Sequence, residues 1–190
     1  MSIHNEIQFE DDICDHLAAS EWLYSPNDTG YNRELALFPE DAIGWIRETQ
    51  PAAWQRLEAF CGGATEAEFL NRLVKVLTTD GTLRVLRNGF KAVGAGAAGF
   101  QMVQFKPSFG FNQDIADRYN KVRLLRVMRQ VHYSVSNQNC IDLVLFVNGI
   151  PVATIDVKTE VYAVKQQMDR DPRDWTDMGR MEADLVHSAS

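Results

Sequence analysis

Two aspartates and a lysine stand at the ends of two adjacent apolar segments, a pattern that could support metal-assisted hydrolysis. Asp142 precedes the first segment, Asp156 and Lys158 close the second, and Asn148-Gly149 separates the two. Asn-Gly is the strongest short signal for a two-residue hairpin turn. In such a hairpin residue 142 pairs near residue 155 or 156, which brings Asp142 beside Asp156. Because side chains two apart on a strand share a face, Lys158 projects together with Asp156.

These side chains favour a site for a divalent cation and a phosphate. Neighbouring carboxylates repel each other unless a cation lies between them, and Mg²⁺ prefers oxygen ligands. The main-chain carbonyl of Val157 could supply a further oxygen, and Lys158 could orient a water or stabilise charge on a phosphate. We therefore predict a Mg²⁺ site, with Mn²⁺ as an alternative ion, that hydrolyses phosphodiesters through Asp142, Asp156 and Lys158. The competing interpretation is a salt-bridged hairpin end.

Composition indicates one soluble domain. Its net negative charge means that any contact with phosphate would be made by a local group of residues and not by the whole surface. The chain has 190 residues, 45% of them hydrophobic, and a formal net charge of −7. That charge disfavours a protein that simply coats DNA, but an enzyme with a carboxylate metal site is compatible with it. Three cysteines without a C-x-x-C pair favour a reducing compartment. The absence of a signal peptide or apolar span leads us to expect a cytoplasmic protein without membrane attachment.

Hydrophobic periodicity predicts helices first and strands afterwards. Predicted helices cover 8–19, 32–48 with a break near Pro39, 51–60, and 65–77 with Thr65 and Glu68 as a capping box. Predicted strands cover 82–93 (a strand or hairpin), 101–105, 125–134 and the two arms of the Asn-Gly hairpin, and further helices cover 114–125 and 161–170. This order predicts an α/β (α+β) fold, a mixed central sheet flanked by helices with an extra helical N-terminal portion.

Two further motifs bear on ligands. GAGAAG at 94–99 matches the dinucleotide-binding pattern G-x-G-x-x-G. A strand-like segment follows it where a dinucleotide site needs a helix, so we expect no bound dinucleotide cofactor. A basic run precedes the hairpin and is either a solvated face or a contact for DNA phosphates. Its members are Lys121, Arg123, Arg126 and Arg129.

Several stretches together resemble a known family. They are FEDDICDHLAASEW (9–22), YNRELALFPEDAIGWI (31–46), TLRVLRNGFK (82–91), QVHYS (130–134), DLVLFVNGIPVATIDVK (142–158) and DRDPRDW (169–175). The arrangement resembles the PD-(D/E)xK nuclease superfamily and, more narrowly, the N-terminal region of the R subunit of type I restriction enzymes. The resemblance implies a restriction-endonuclease-like domain over 1–175, followed by a polar tail at 176–190.

The resemblance also implies roles for individual residues. Glu10 matches the acid of the first helix and would be a further metal ligand, while Asp142, Asp156 and Lys158 match the strand acid and the acid–lysine pair. Gln166 or Gln167 matches the glutamine of a Gln-x-x-x-Tyr motif that contacts DNA, although no tyrosine follows either residue. Two departures from the family pattern are Ile141 in place of proline and an aspartate, not the more usual glutamate, at 156.

The function that the resemblance implies is that of a type I site-specific deoxyribonuclease subunit. Its expected substrate is double-stranded DNA, and its expected partners are the specificity and methylation subunits of a restriction–modification complex. Full-length relatives continue into an ATP-driven translocase, which we expect to be absent from these 190 residues, so this chain is not expected to bind ATP. The alternative is a catalytically inactive module that binds DNA or docks onto another subunit.

Overall fold

The computed structural model describes residues 3–92, 99–105, 124–133 and 139–157. The helices are α1 (Ile3–Ala19), α2 (Pro39–Thr49), α3 (Pro51–Cys61), α4 (Thr65–Asp80) and α5 (Thr82–Asn88), and the strands are β1 (Leu23–Ser25), β2 (Leu125–His132), β3 (Cys140–Val147) and β4 (Ile150–Ile155). Residues Cys14–Asp156 form one compact unit, while residues 3–13 and Val157 belong to a second. The helices predicted at 114–125 and 161–170, the GAGAAG motif up to residue 98 and the domain boundary at 175/176 lie outside the described residues.

The described strands form one mixed sheet in the order β1-β2-β3-β4. Strand β1 runs parallel to β2, and the other two pairings are antiparallel. The α+β class, with a mixed sheet accompanied by helices, is therefore confirmed. The predicted strand at 125–134 and both arms of the hairpin are also confirmed, whereas the short strand β1 was not predicted.

Two apolar clusters hold the larger unit together. The larger cluster collects aromatic and aliphatic side chains of α2, α3 and α4, and it extends to Phe90 and Phe100. Phe69 stands at its centre, with its ring edge-on to Phe100 at a centroid distance of 5.3 Å. The smaller cluster comprises Phe38, Met128, Val131, Val144 and Phe146. Its members lie on β2 and β3 or just before α2, so it joins the sheet to the start of that helix.

Proline starts two helices, as predicted, but α2 is shorter than the predicted helix. Pro39 and Pro51 occupy the first helical positions of α2 and α3, where the missing N–H costs nothing. The helix predicted from residue 32 is wrong over its first seven residues, because Asn32 pairs with Leu37 in an isolated bridge. The Asn32 side chain also accepts the N–H of Leu35 at 2.9 Å and so closes a turn.

The capping box predicted at Thr65 and Glu68 is wrong. Thr65 is the first residue of α4, and Ala64 occupies the capping position without a side-chain bond. The Thr65 hydroxyl donates to the carbonyl of Gly62 at 2.5 Å. A 3₁₀ turn at Gly62–Ala64 leads directly into α4, so the hydroxyl satisfies this turn and not the helix N–H groups.

The strand or hairpin predicted at 82–93 is wrong, because Thr82–Asn88 form helix α5. Gly81 and Gly89 flank this helix with φ values of 84° and 67°. The N–H of Gly89 donates to the carbonyl of Val85 at 2.8 Å and closes the last turn. A positive φ is accessible to glycine at no steric cost, so the two glycines end α4 and α5 where they stand.

The strand predicted at 101–105 is also wrong, because side chains satisfy the backbone there. The N–H of Gln101 donates to Oε1 of Gln50 at 2.8 Å. The carbonyl of Gln101 accepts from Nε1 of Trp45 at 2.8 Å and from Nε2 of Gln50 at 2.7 Å. A buried backbone needs partners of some kind, and here α2 and the residue that follows it supply them in place of a neighbouring strand.

Candidate active site

The Asn-Gly hairpin turn is confirmed. Val147 pairs with Ile150, so Asn148 and Gly149 alone form the loop. Their φ values are 47° and 80°, as expected for a type I′ turn, whose two central residues both have a positive φ. Such a turn matches the twist of antiparallel strands, and it joins β3 to β4 directly.

The turn is buried against its surroundings and anchored by hydrogen bonds. Asn148 is fully buried, and its Nδ2 donates to the carbonyl of Met102 at 2.9 Å. Its Oδ1 accepts the N–H of Leu124 at 3.1 Å, and its own N–H donates to the Leu124 carbonyl at 2.8 Å. The carbonyl of Gly149 accepts the N–H of Phe38 at 3.0 Å, immediately before α2. These bonds fix the closed end of the hairpin within the unit.

A β-bulge at Val152 sets the register of the open end. Leu145 pairs with Ala153, whereas Phe146 pairs with Pro151, so Val152 is an extra residue on β4. Beyond the bulge the register continues to the pair Leu143↔Ile155. Extended by one residue beyond the end of β4, this register would bring Asp142 opposite Asp156. Residues directly opposite in an antiparallel pair project from the same face, so this register favours the shared face of the two carboxylates, which stays a prediction.

The donor set at this end suits a hard divalent cation. Asp142 follows the alternation of Val144 and Phe146 along β3 and is half-buried, while Asp156 is exposed. Carboxylate oxygens are the ligands that Mg²⁺ prefers, and Mg²⁺ keeps several waters when only one or two carboxylates bind it. Within the described ranges no group of three or more His, Cys, Asp or Glu side chains could hold a metal ion. The Mg²⁺ site at Asp142 and Asp156 stays a prediction.

Five further predicted residues, namely metal ligands, the catalytic lysine and DNA-contacting glutamines, are placed as follows. Glu10 lies on α1 in the smaller unit and is 3% exposed. Val157, whose carbonyl was the proposed extra ligand, is buried. Lys158, Gln166 and Gln167 lie outside the described residues. The roles given to these five residues therefore stay predictions.

Two of the four predicted phosphate contacts, Arg126 and Arg129, lie on β2. Arg126 forms a two-pronged ion pair with Asp41, with distances of 2.8 Å from Nε and 3.0 Å from Nη2. Its Nη1 donates to the hydroxyl of Ser25 at 2.8 Å, and its guanidinium lies 4.4 Å from the Phe38 ring centroid. Arg126 thereby joins β1, β2 and α2. We assign it this structural role in place of the predicted contact with a DNA phosphate. Arg129 is half-buried on β2, and Lys121 and Arg123 lie outside the described residues.

Gln130 lies close to the predicted site in the sheet, and sequence reasoning did not single it out. The pairs Arg129↔Leu143 and Val131↔Ile141 place it across from Asp142 on β2. Its φ is +48°, a left-handed conformation in the middle of a strand. The sequence carries no signal for this, since glutamine in an alternating segment predicts an ordinary strand position.

A basic surface on α4 and α5 was also missed, because residues 82–93 were predicted as a strand. On the observed helix, Arg84 and Arg87 are three residues apart and lie on one face. Arg72 and Lys91 lie beside them around two open cavities of about 460 and 280 Å³. These four residues are the α5 basic surface; Asp80 is the one acidic residue that lines the two cavities, and it lies 3.9 Å from Arg84.

The fold is α+β, with a mixed sheet in which β3 and β4 form one hairpin that has Asp142 and Asp156 towards its open end. Residues 119–176 match the family model described as type I restriction enzyme R protein N terminus. This segment is under a third of the chain and contains the whole hairpin. Neither a search of the curated proteins nor a search of the solved structures found a match. Among the described helices, none is long and apolar enough to cross a membrane.

Proposed function

We propose that the chain is the metal-dependent DNA endonuclease domain of a type I restriction enzyme R subunit. The observation that supports this proposal is the bulged register, which runs to the pair Leu143↔Ile155 and, extended by one residue, would bring Asp142 opposite Asp156 at the open end of the hairpin. The family match over residues 119–176 supports the same assignment, because the matched segment contains both aspartates and Lys158.

Each residue of the proposed site has a separate task in phosphodiester hydrolysis. Asp142 and Asp156 would hold Mg²⁺ or Mn²⁺ through their carboxylates, and the sequence also predicts the Val157 carbonyl and Glu10 as oxygen ligands. When bound, the ion would supply neutralising charge for the phosphate. Lys158, two residues after Asp156, stabilises the negative charge that develops on the phosphate or orients the attacking water.

Metal removal tests this assignment. We expect the chain to convert supercoiled plasmid into nicked circles in Mg²⁺, to stop when a chelator is added, and to resume when Mg²⁺ is restored in excess.

Lys158→Ala should lower the rate of nicking by about 100-fold or more, as loss of an electrostatic group does at comparable sites. The measurement is the rate of nicking on agarose gels, with calorimetric titration of Mn²⁺ alongside.

Plasmid nicking and Mn²⁺ binding together distinguish a nuclease from a catalytically inactive module. A chain that binds Mn²⁺ through the aspartates but leaves plasmid intact in every metal would favour a module that needs its partner subunits for cleavage. A chain that binds no divalent cation and still binds DNA would contradict the nuclease assignment and favour the inactive docking module. Nicking that survives chelation would contradict metal dependence itself.

The α5 basic surface supports DNA as the substrate of an otherwise acidic protein. Four cationic side chains gather around the two cavities, although the whole chain carries a formal charge of −7. Helix α5 packs against β4, the strand that leads to Asp156. Duplex DNA binds through phosphate neutralisation, so we propose that this surface, Arg129 and the predicted contacts at Lys121, Arg123, Gln166 and Gln167 hold the DNA backbone.

Neutralising one arginine of the α5 basic surface should weaken DNA binding and its salt dependence. Arg87 is exposed, and no ion pair is formed by it among the described residues. For Arg87→Gln we expect the slope of log affinity against log salt to fall by about 1, with no dependence on DNA sequence. Fluorescence anisotropy on a labelled duplex over a salt series measures both quantities.

The control for this variant removes the same charge elsewhere. Arg56 is exposed on α3, away from the two cavities, so Arg56→Gln changes the net charge by the same amount. It should leave the salt slope at the wild-type value. Equal slopes for Arg87→Gln and wild type would remove the α5 basic surface from the proposed DNA interface.

The proposed setting is a cytoplasmic restriction–modification complex. The R subunit would act with specificity and methylation subunits, and the specificity subunit, not this chain, would select the DNA sequence. ATP-driven translocation would belong to further domains found in full-length relatives.

A further inference from the structure

Gln130 has a backbone conformation that glutamine seldom adopts in a strand. Its φ is +48°, although it lies within the described strand β2 between the pairs Arg129↔Leu143 and Val131↔Ile141. A left-handed backbone is unfavourable for a residue with a Cβ atom, and such strain persists where the surrounding structure enforces it. Strained residues of this kind cluster at functional sites, and the residue across the sheet from Gln130 is Asp142.

The hydrogen bond of Gln130 shows on which face its side chain lies. The thiol of Cys140 donates to Oε1 of Gln130 at a distance of 3.0 Å. Cys140 and Asp142 are two residues apart on β3 and therefore share a face. The Gln130 amide consequently lies on the face that bears Asp142. Its oxygen is turned to Cys140, and its nitrogen can only donate, which suits a carboxylate.

We propose that Gln130 is a positioning residue for the metal site, with its amide nitrogen holding the Asp142 carboxylate in the orientation that binds the cation. This inference rests on the proposed nuclease function and deepens it. Carboxylates that bind metal are themselves held by hydrogen-bonding neighbours, whose loss costs about 10–100-fold in metal affinity or activity. The strained backbone of Gln130 then keeps its amide on the face of the sheet that bears Asp142.

Two variants separate the strain from the amide. Gln130→Gly removes the amide but relieves the strain, because glycine adopts a positive φ freely. We expect it to unfold at the wild-type temperature or above, yet to bind Mn²⁺ about 10-fold more weakly and to nick plasmid more slowly. Gln130→Met keeps the side-chain length and the strain but lacks the amide, and it should show the same loss of Mn²⁺ affinity. Thermal unfolding and calorimetric titration with Mn²⁺ alone give the two quantities.

A matched control relieves similar strain away from the site. Glu21 is exposed and has a φ of 67°, so Glu21→Gly should match Gln130→Gly in stability while keeping the wild-type affinity for Mn²⁺. Wild-type Mn²⁺ affinity in Gln130→Gly or, should that variant not fold, in Gln130→Met would overturn this inference alone. A wild-type chain that binds no Mn²⁺, or one in which Asp142→Asn leaves Mn²⁺ binding intact, would overturn the proposed function as well.

Discussion

Asp142→Asn is expected to abolish plasmid nicking and to weaken Mn²⁺ binding by more than about 100-fold. This exceeds the effect of losing a hydrogen-bonded neighbour of a ligand, because the change removes a ligand charge itself. The amide is isosteric with the carboxylate, so the half-buried position of the side chain stays filled. Calorimetric titration and gel-based nicking measure the two losses on the same preparation.

The control for Asp142→Asn is a carboxylate that the hairpin does not use. Asp28 is exposed in the loop before α2, and Asp28→Asn makes the same change of charge and shape. It should keep the wild-type Mn²⁺ affinity and nicking rate. Loss of nicking in Asp142→Asn with unchanged Mn²⁺ affinity would place Asp142 in catalysis but outside the metal site. Full retention of both would contradict the assignment of the hairpin as the active centre.

Gly149→Ala is expected to destabilise the protein by about 2–5 kcal/mol, the largest stability effect that we predict. Gly149 has a φ of 80°, and an added Cβ atom would lie 2.3 Å from the Phe38 carbonyl oxygen and 2.9 Å from the Ala42 nitrogen. The left-handed conformation costs about 1–2 kcal/mol for alanine, and overpacking costs about 1–3 kcal/mol more. Both contacts are with backbone, so the hairpin turn or the start of α2 has to move.

Gly44→Ala is the matched control and should have the opposite sign. Gly44 is exposed within α2, has no atom within 4 Å of an added Cβ, and has an ordinary negative φ. Alanine is favoured over glycine in a helix by about 0.5–1 kcal/mol, so this variant should be more stable than wild type. Urea unfolding followed by circular dichroism compares the two variants. Equal stability of Gly149→Ala and wild type would show that the hairpin turn does not pack against α2 as described.

The hairpin was predictable because local signals agree there. Apolar residues in both arms and the Asn-Gly pair specify two antiparallel strands and their turn without any distant contact. The sequence alone left the partner of Asp142 at residue 155 or 156. The bulge at Val152 gives a register that, extended by one residue, favours 156, and nothing in IPVATI marks that extra residue.

The errors arose where distant groups or short segments decide the structure. Seven residues from Thr82 to Asn88 fit a strand or a helix equally well, although Gly89 after Arg87 was a helix-ending signal that the prediction did not use. Gln101 alternates like a strand residue, but its partners are side chains at positions 45 and 50. Such partners become visible only when the tertiary structure is known.

The bulge lies between a buried part of the hairpin and an exposed part. The turn end is locked by Gly149 against α2, whereas β4 beyond Val152 is mostly exposed and carries little of the core. The bulge absorbs one residue of β4 without changing the pairs on either side of it, because Phe146↔Pro151 and Leu145↔Ala153 would be successive pairs in a strand that lacked Val152. Deletion of Val152 should therefore keep residue 142 in register with residue 156 and remove only the local bend of the strand. Val152 is in this sense a spare residue, one that the exposed half of β4 can lose while the buried half of the hairpin keeps its partners.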